Sequence, residues 1–183
     1  GLACGAGIGA GELGAQAVDP ERLTQVRAAF VLNFVRYTEW PASAFAAADS
    51  PYFVVVFDDD GVAQALEELA ERAGSTGGRA LRVIKLRSPK RDEERAALAE
   101  TLRRSHVVYL GEKPDRELVA ALAATSVLTI AADAGFVHEG GMIALVVEDN
   151  RVTFDVDADA IRGRGLVLSS RVLRLARSVS HRP

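Results

Sequence analysis

The chain has 183 residues, 49% of them hydrophobic and 26% charged, which suits one globular domain with a sizeable core and argues against a disordered chain. Its formal net charge is −3, with 22 Lys and Arg against 25 Asp and Glu, so it lacks the concentrated basic surplus with which a nucleic-acid binder neutralises phosphates. A single cysteine, Cys4, excludes an internal disulfide and any zinc site with two or more Cys ligands, and His106, His138 and His181 lie far apart; no metal and no cofactor are expected.

Residues 1–17 are small, apolar and nearly uncharged and end in Ala15-Gln16-Ala17. They read as the remnant of a secretory signal peptide with cleavage after Ala17, leaving residues 18–183 as the mature domain. Gly9-Ala10-Gly11-Glu12-Leu13-Gly14 matches G-x-G-x-x-G by letter, but no strand precedes it and no amphipathic helix follows, so it is a chance match. Cys4 as a lipidation site would want a Leu three residues earlier, where Gly1 stands. No other stretch is apolar for the ~18 residues that a membrane span needs.

Asp19-Pro20-Glu21 supplies a capping carboxylate, a proline whose missing N–H is harmless and an acid near the positive end of a first helix. Its apolar stripe is Leu23, Val26, Phe30, Phe34 and Tyr37, widened by Val31 and Val35, and it is expected to end at Trp40-Pro41. Tyr52 to Phe57 reads as a buried strand, Gly61 to Ala73 as a helix closed by Gly74, and Ala80 to Leu86 as a strand. Ser88-Pro89 then opens a charged helix through Arg104, with Ala97, Leu98 and Leu102 on its apolar side. His106 to Leu110 is a strand, Pro114 to Ala124 a helix and Val127 to Ala131 a further strand.

Next comes Gly135 to Val156. Ile143 to Val147 is too short for an ordinary helix, Arg151 to Val156 alternates, and Asp149-Asn150 between them tolerate the left-handed backbone of a tight turn, so this is a β-hairpin. The loop ahead of it holds Gly135, Gly140 and Gly141 with Phe136, Val137 and Met142, and it reads either as a recognition loop or as a connection that tucks its Phe into the core. Ser169 or Ser170 starts a last helix, with Val172, Leu173 and Leu175 apolar and Arg171, Arg174 and Arg177 polar. Strands and helices alternating in this way predict an α/β, three-layer Rossmann-like sandwich: a mostly parallel sheet, a C-terminal antiparallel hairpin and a final helix.

Two clusters could carry chemistry. Asp58-Asp59-Asp60 follows the first strand, where open α/β sheets place ligands and where a Mg²⁺-dependent enzyme or receiver-like module would hold its ion. Other strand ends offer only Gly111-Glu112-Lys113 and Ala131-Ala132-Asp133 in support, so capping of the next helix by Asp59 or Asp60 is the preferred reading. Ser126, Ser169 and Ser170 sit in no nucleophile elbow, and no active site emerges. Arg162, Arg164, Arg171, Arg174 and Arg177 could hold a small anionic ligand or an acidic partner, or pair with Asp155, Asp157 and Asp159.

The block from Ala28 to Pro41 (AAFVLNFVRYTEWP), Gly135-Phe136 with Gly140-Gly141-Met142-Ile143, Glu148 to Val152 (EDNRV), and Leu166 to Arg177 (LVLSSRVLRLAR) together resemble, in order, the YfiR family of bacterial periplasmic proteins, over about residues 22–178. That resemblance implies a Rossmann-like domain able to form a homodimer. It implies a non-catalytic regulator that binds the periplasmic sensing domain of a membrane-anchored (YfiN-like) diguanylate cyclase and represses it, lowering cyclic di-GMP and biofilm formation. Family members of one type are adjusted by cysteine pairs; with no cysteine after Cys4, such control is excluded in the mature domain. On this reading the partner- or ligand-binding residues are Phe136, His138, Met142, Ile143, Arg171 and Arg174, the apolar ones supplying contact and the arginines charge complementarity. The alternative functions are a periplasmic sensor of a small anion or nucleotide, and the Mg²⁺ enzyme on Asp58 to Asp60.

Overall fold

The Asp19 carboxylate accepts from the Glu21 amide at 3.2 Å and starts helix α1 (Pro20–Tyr37) with proline in its first turn, as the sequence predicts. The computed structural model describes residues 18–181, so the signal-peptide segment, Cys4 and the glycine triplet lie outside the described residues. Ala28, Val31, Leu32, Phe34 and Val35 form the buried face of α1, whereas Tyr37 is 42% exposed. The helix ends at Tyr37 rather than Trp40 because Thr38–Glu39 leaves it as strand β1, paired antiparallel with β8 (Val167–Leu168).

The remaining strands make one seven-stranded sheet. In chain order they are β2 (Tyr52–Phe57), β3 (Leu81–Leu86), β4 (Val107–Tyr109), β5 (Leu128–Ala131), β6 (Ile143–Glu148), β7 (Arg151–Asp157) and β9 (Ser178–Ser180). The order across the sheet is β3-β2-β4-β5-β6-β7-β9, parallel throughout except for the β6–β7 hairpin. Helices α2 (Asp60–Ala73), α3 (Asp92–Leu102) and α4 (Arg116–Ala121) are the crossovers between successive parallel strands.

Strand alternation divides the core in two. Val54 and Val56 of β2, with Tyr109, Ile130 and Leu145, face α1 and α2, while Val55 and Phe57, with Val108 and Ala144, face α3 and α4. The sheet is therefore the middle of three layers, and its central strands are buried on both faces, which is why they read as continuous apolar runs.

The sequence expectations depart from the structure at some ends. Helix α3 starts at Asp92, not after Ser88-Pro89; no side chain caps it, and acids at Asp92, Glu93 and Glu94 face its positive end instead. The final helix α6 (Ser170–Leu173) is one turn long and capped by Ser169. It stops because the Arg177 amide donates to the Phe154 carbonyl at 2.8 Å and feeds β9 into the sheet beside β7. Helix α5 (Ala158–Gly163), capped by Asp157, is a further element without sequence forewarning.

Candidate functional site

The loop between β5 and β6 is built from the inside. Asp133 accepts from the Gly135 amide at 2.9 Å, and Arg116 of α4 reaches both Asp133 (2.7 Å) and Glu139 (2.5 Å), tying the loop to the helix before it. Phe136–Glu139 forms a single 3-10 turn, after which the Gly141 amide donates to the Phe136 carbonyl at 2.9 Å and the Met142 amide to the Thr129 hydroxyl at 3.2 Å. Phe136 and Val137 join the core beneath α3 and α4, whereas Met142 and Ile143 join the opposite core beneath α1 and α2. The loop thus pins the two faces of the sheet together.

That placement corrects the expectation that Phe136, Met142 and Ile143 present apolar contacts to a partner. All three are fully buried. Of the two readings of the glycine-rich loop, the core connection is the one the structure has. His138 is exposed on the same turn. Burial pushes the Asp155 carboxyl up, but hydrogen bonds from Arg177 and Ser178 and the Arg177 charge outweigh that and hold it below the ordinary carboxylate range.

The C-terminal arginines divide into paired and unpaired. Arg177 grips Asp155 through Nε (2.9 Å) and Nη2 (2.5 Å) and approaches Glu148, while Arg162 pairs with Asp159 at 3.3 Å. Arg164 donates to the Gly140 carbonyl at 3.4 Å, tying α5 to the glycine loop. Arg171 and Arg174 are exposed and make no ion pair among the described residues. Beside them in the chain lie Val167, 58% exposed, and Leu175, 73% exposed. The β1–β8 ladder, with the Ser169 amide donating to the Tyr37 carbonyl at 2.8 Å, brings Tyr37 to the same side chains' neighbourhood. Sequence reasoning put Tyr37 on the apolar stripe of α1 and Leu175 on the apolar side of the last helix; Tyr37 instead flanks the β1–β8 ladder, which joins segments 130 residues apart, and Leu175 follows α6 exposed.

The acid triplet lies where the strand order reverses, between the carboxyl ends of β2 and β4, the usual ligand crevice of such sheets. A cavity of about 340 Å³ there is lined by Arg27, Asp58, Asp59, Leu110, Gly111, Glu112 and Lys113. Its charges are mostly paired within the chain. Asp58 accepts from the Ser88 amide (3.2 Å), Asp59 caps α2 through the Val62 amide (3.0 Å), Asp60 pairs with Arg87 (2.6 Å), and Arg27 pairs with Glu112 (2.9 Å). Tyr109, wholly buried below, points its hydroxyl at Asp59 at 3.4 Å, and burial raises its pKa far above the ordinary phenol value. Among the described residues no group of three or more His, Cys, Asp or Glu is placed to hold a metal ion. No helix among the described residues is long and apolar enough to cross a membrane.

Comparison with known proteins adds family and fold. No curated protein matches the chain in sequence. Among solved structures it is similar to a conserved domain protein from Vibrio cholerae O1 biovar El Tor, with a TM-score of 0.58 and 12% identity over 90% of this chain and 62% of that one. It is also similar to an ABC domain from Streptococcus pneumonia, solved in complex with L-Trp, with a TM-score of 0.53 and 10% identity over 70% of this chain and 55% of that one. The chain therefore spans less than two thirds of either structure, and at these identities the likeness is one of fold. The YfiR/HmsC-like family model matches residues 24–177, the stretch that carries α1, the glycine loop, the hairpin and the exposed arginines, and the chain belongs to that family.

Proposed function

We propose that this protein is a non-catalytic periplasmic regulator that docks onto the periplasmic sensing domain of an inner-membrane diguanylate cyclase and holds it inactive, lowering cyclic di-GMP and biofilm formation. Membership of the YfiR/HmsC-like family, a family of regulators of cyclic di-GMP signalling, is the observation that carries this reading. Repression then needs no chemistry by the domain itself, because preferential binding to the inactive cyclase shifts its equilibrium. Export by a leader cleaved after Ala17 and assembly as a homodimer belong to the same proposal.

The docking surface we assign is the exposed edge formed by Tyr37, Val167 and Leu175 with Arg171 and Arg174; His138 lies apart from it, on the loop beside Asp155. The edge offers apolar side chains of 42%, 58% and 73% exposure beside two cations that make no ion pair among the described residues, an arrangement that suits a partner patch with an apolar centre and acidic rim.

The test is binding of the purified domain to the cyclase's periplasmic domain by biolayer interferometry. Arg171→Glu combined with Arg174→Glu is expected to weaken binding by about tenfold or more while far-UV circular dichroism stays unchanged, and to raise cyclic di-GMP in cells. Unaltered binding by the folded double variant rules this surface out.

A further inference from the structure

His106 lies in an aromatic cage. Its ring centroid is 5.9 Å from that of Trp40, 4.6 Å from Phe45, 5.5 Å from Tyr52 and 6.3 Å from Phe53, and the residue is 2% exposed. The backbone on either side is fixed in the sheet: its amide donates to the Phe53 carbonyl and its carbonyl accepts from the Leu128 amide, both at 2.9 Å. Nδ1 accepts from the Phe53 amide at 3.0 Å, a bond that assigns the neutral ring's proton to Nε2. Nε2 and Trp40 Nε1 are both buried without a hydrogen-bond partner among the described residues, and the Ala44 backbone is the polar group that favours the protonated ring.

The lid of this cage is residues 41–50. They contain one 3-10 turn, Ala42–Ala44, and no strand of the sheet. Phe45 stacks on the imidazole at an interplanar angle of 26°. Arg79, ahead of β3, clamps the segment from outside through the Ser50 carbonyl (2.7 Å) and the Ala47 carbonyl (3.3 Å), with its guanidinium carbon 3.7 Å above the Phe45 ring.

We propose that His106 is a proton-operated latch, whose protonation opens the 41–50 strap and bares the aromatic cage. A second proton can enter the ring only at Nδ1, which is the atom that accepts from the Phe53 amide; gaining it turns an acceptor into a donor that faces another donor. The only ways out are to lose that bond or to swing the ring outward against Phe45, and both loosen the strap. Two titratable or charged side chains face the ring, Tyr52 from β2 and Arg79 from the turn before β3; Asp49, at the strap's far end, is not among the groups that influence it. No carboxylate among the described residues compensates the imidazolium, so burial and the Arg79 charge lower its pKa, while the Ala44 backbone opposes them. The stacked faces of Phe45 and Phe53 attract a cation, but neither supplies the acceptor that a protonated Nδ1 needs.

The direction follows from linkage. The closed strap binds the proton more weakly than an open one, whose histidine titrates near the ordinary value of about 6.5. Closure is therefore fully favoured above that pH and weakens as pH falls below it. Trp40 and Pro41 directly follow β1, whose Glu39 pairs with Val167, so opening the strap disturbs the edge that carries Val167 and Tyr37. The latch stands independently of the regulator reading; within that reading it gives the docking edge a pH input.

Trp40 is the chain's only tryptophan, so its fluorescence reports on the strap alone. From about pH 8 to about pH 5, across the ordinary histidine value of about 6.5, the wild-type emission maximum is expected to move to the red with no change in far-UV circular dichroism. His106→Gln is expected to abolish the shift and His138→Gln to retain it. Proton NMR of the wild type, whose ring proton titrates directly, is expected to place His106 below about 6.5 even if the Gln variant does not fold. A wild-type emission maximum that stays fixed until global unfolding, a shift that survives in His106→Gln, or an NMR midpoint at or above the ordinary value overturns the latch.

Discussion

A Cβ on Gly141 would lie 2.2 Å from the ring of Phe136, well inside any contact that real atoms make. Phe136 is fully buried between the sheet and α4 and has no room to retreat, so the pair fixes how closely the loop can fold back on its own turn. Gly141→Ala is expected to cost about 1–3 kcal/mol or more, read as a lower urea midpoint with an unchanged slope. Gly163→Ala is the matched control. It lies in α5 with nothing within 4 Å of the added methyl, and a gain of a few tenths to about 1 kcal/mol is expected.

The same burial decides how the loop should be probed. Phe136→Ala is expected to cost about 3–5 kcal/mol, the usual result of emptying a core aromatic site, seen as a lowered thermal midpoint. Any accompanying loss of cyclase binding then reports unfolding. Substitution of Arg171 leaves the core untouched and is expected to keep the wild-type midpoint within about 0.5 kcal/mol while changing association, so the two variants separate fold from surface.

Much of the architecture was legible because the central strands have to be apolar on both sides: Tyr52–Phe57 was placed to the residue. The hairpin was legible because Asp149 (φ 48°) and Asn150 (φ 58°) adopt the left-handed backbone that their side chains tolerate. Helix α5 and β9 were not legible. Asp155 and Asp157 are buried acids in a strand, and Ser178–Ser180 pairs through its backbone with little apolar side-chain signal. The site failed where exposure depends on a distant partner. Phe136 resembles a loop aromatic until Gly141 and α4 are seen against it, and Tyr37 resembles core until β8 is seen to pair beside it. The alternative reading of the C-terminal arginines held for Arg177 with Asp155 and for Arg162 with Asp159, and left Arg171 and Arg174 exposed.

Asp155 sets part of the acid limit of the fold. Its side chain is 4% exposed and accepts from Arg177 and Ser178, which hold β9 against β7. Because its carboxyl is held below the ordinary range, the folded state binds its proton more weakly than the unfolded chain. The stabilisation is complete above the unfolded value of about 3.9 and is lost as pH falls through the lower folded value. Asp155→Asn is expected to lower stability at neutral pH by about 1.5–3 kcal/mol, the usual worth of hydrogen bonds to a charged group, and to flatten the decline below about pH 4. Chemical denaturation at neutral and at acid pH measures both.

Asp59 tests what the acid triplet is for. Its Oδ1 accepts from the Val62 amide at 3.0 Å at the start of α2, and Asp58 and Asp60 are directed to the Ser88 amide and to Arg87 instead of toward a common centre. A capping role requires a short side-chain acceptor and no particular charge. Asp59→Ser is therefore expected to keep most of the stability, whereas Asp59→Ala loses about 1 kcal/mol. An ion site requires the reverse, a strict need for carboxylates and a response to the ion itself. The thermal midpoint is expected to be the same with and without Mg²⁺. A midpoint that rises with Mg²⁺ in the wild type but not in Asp58→Asn would return the crevice between β2 and β4 to consideration as a metal centre, and with it the enzyme that the sequence alone left open.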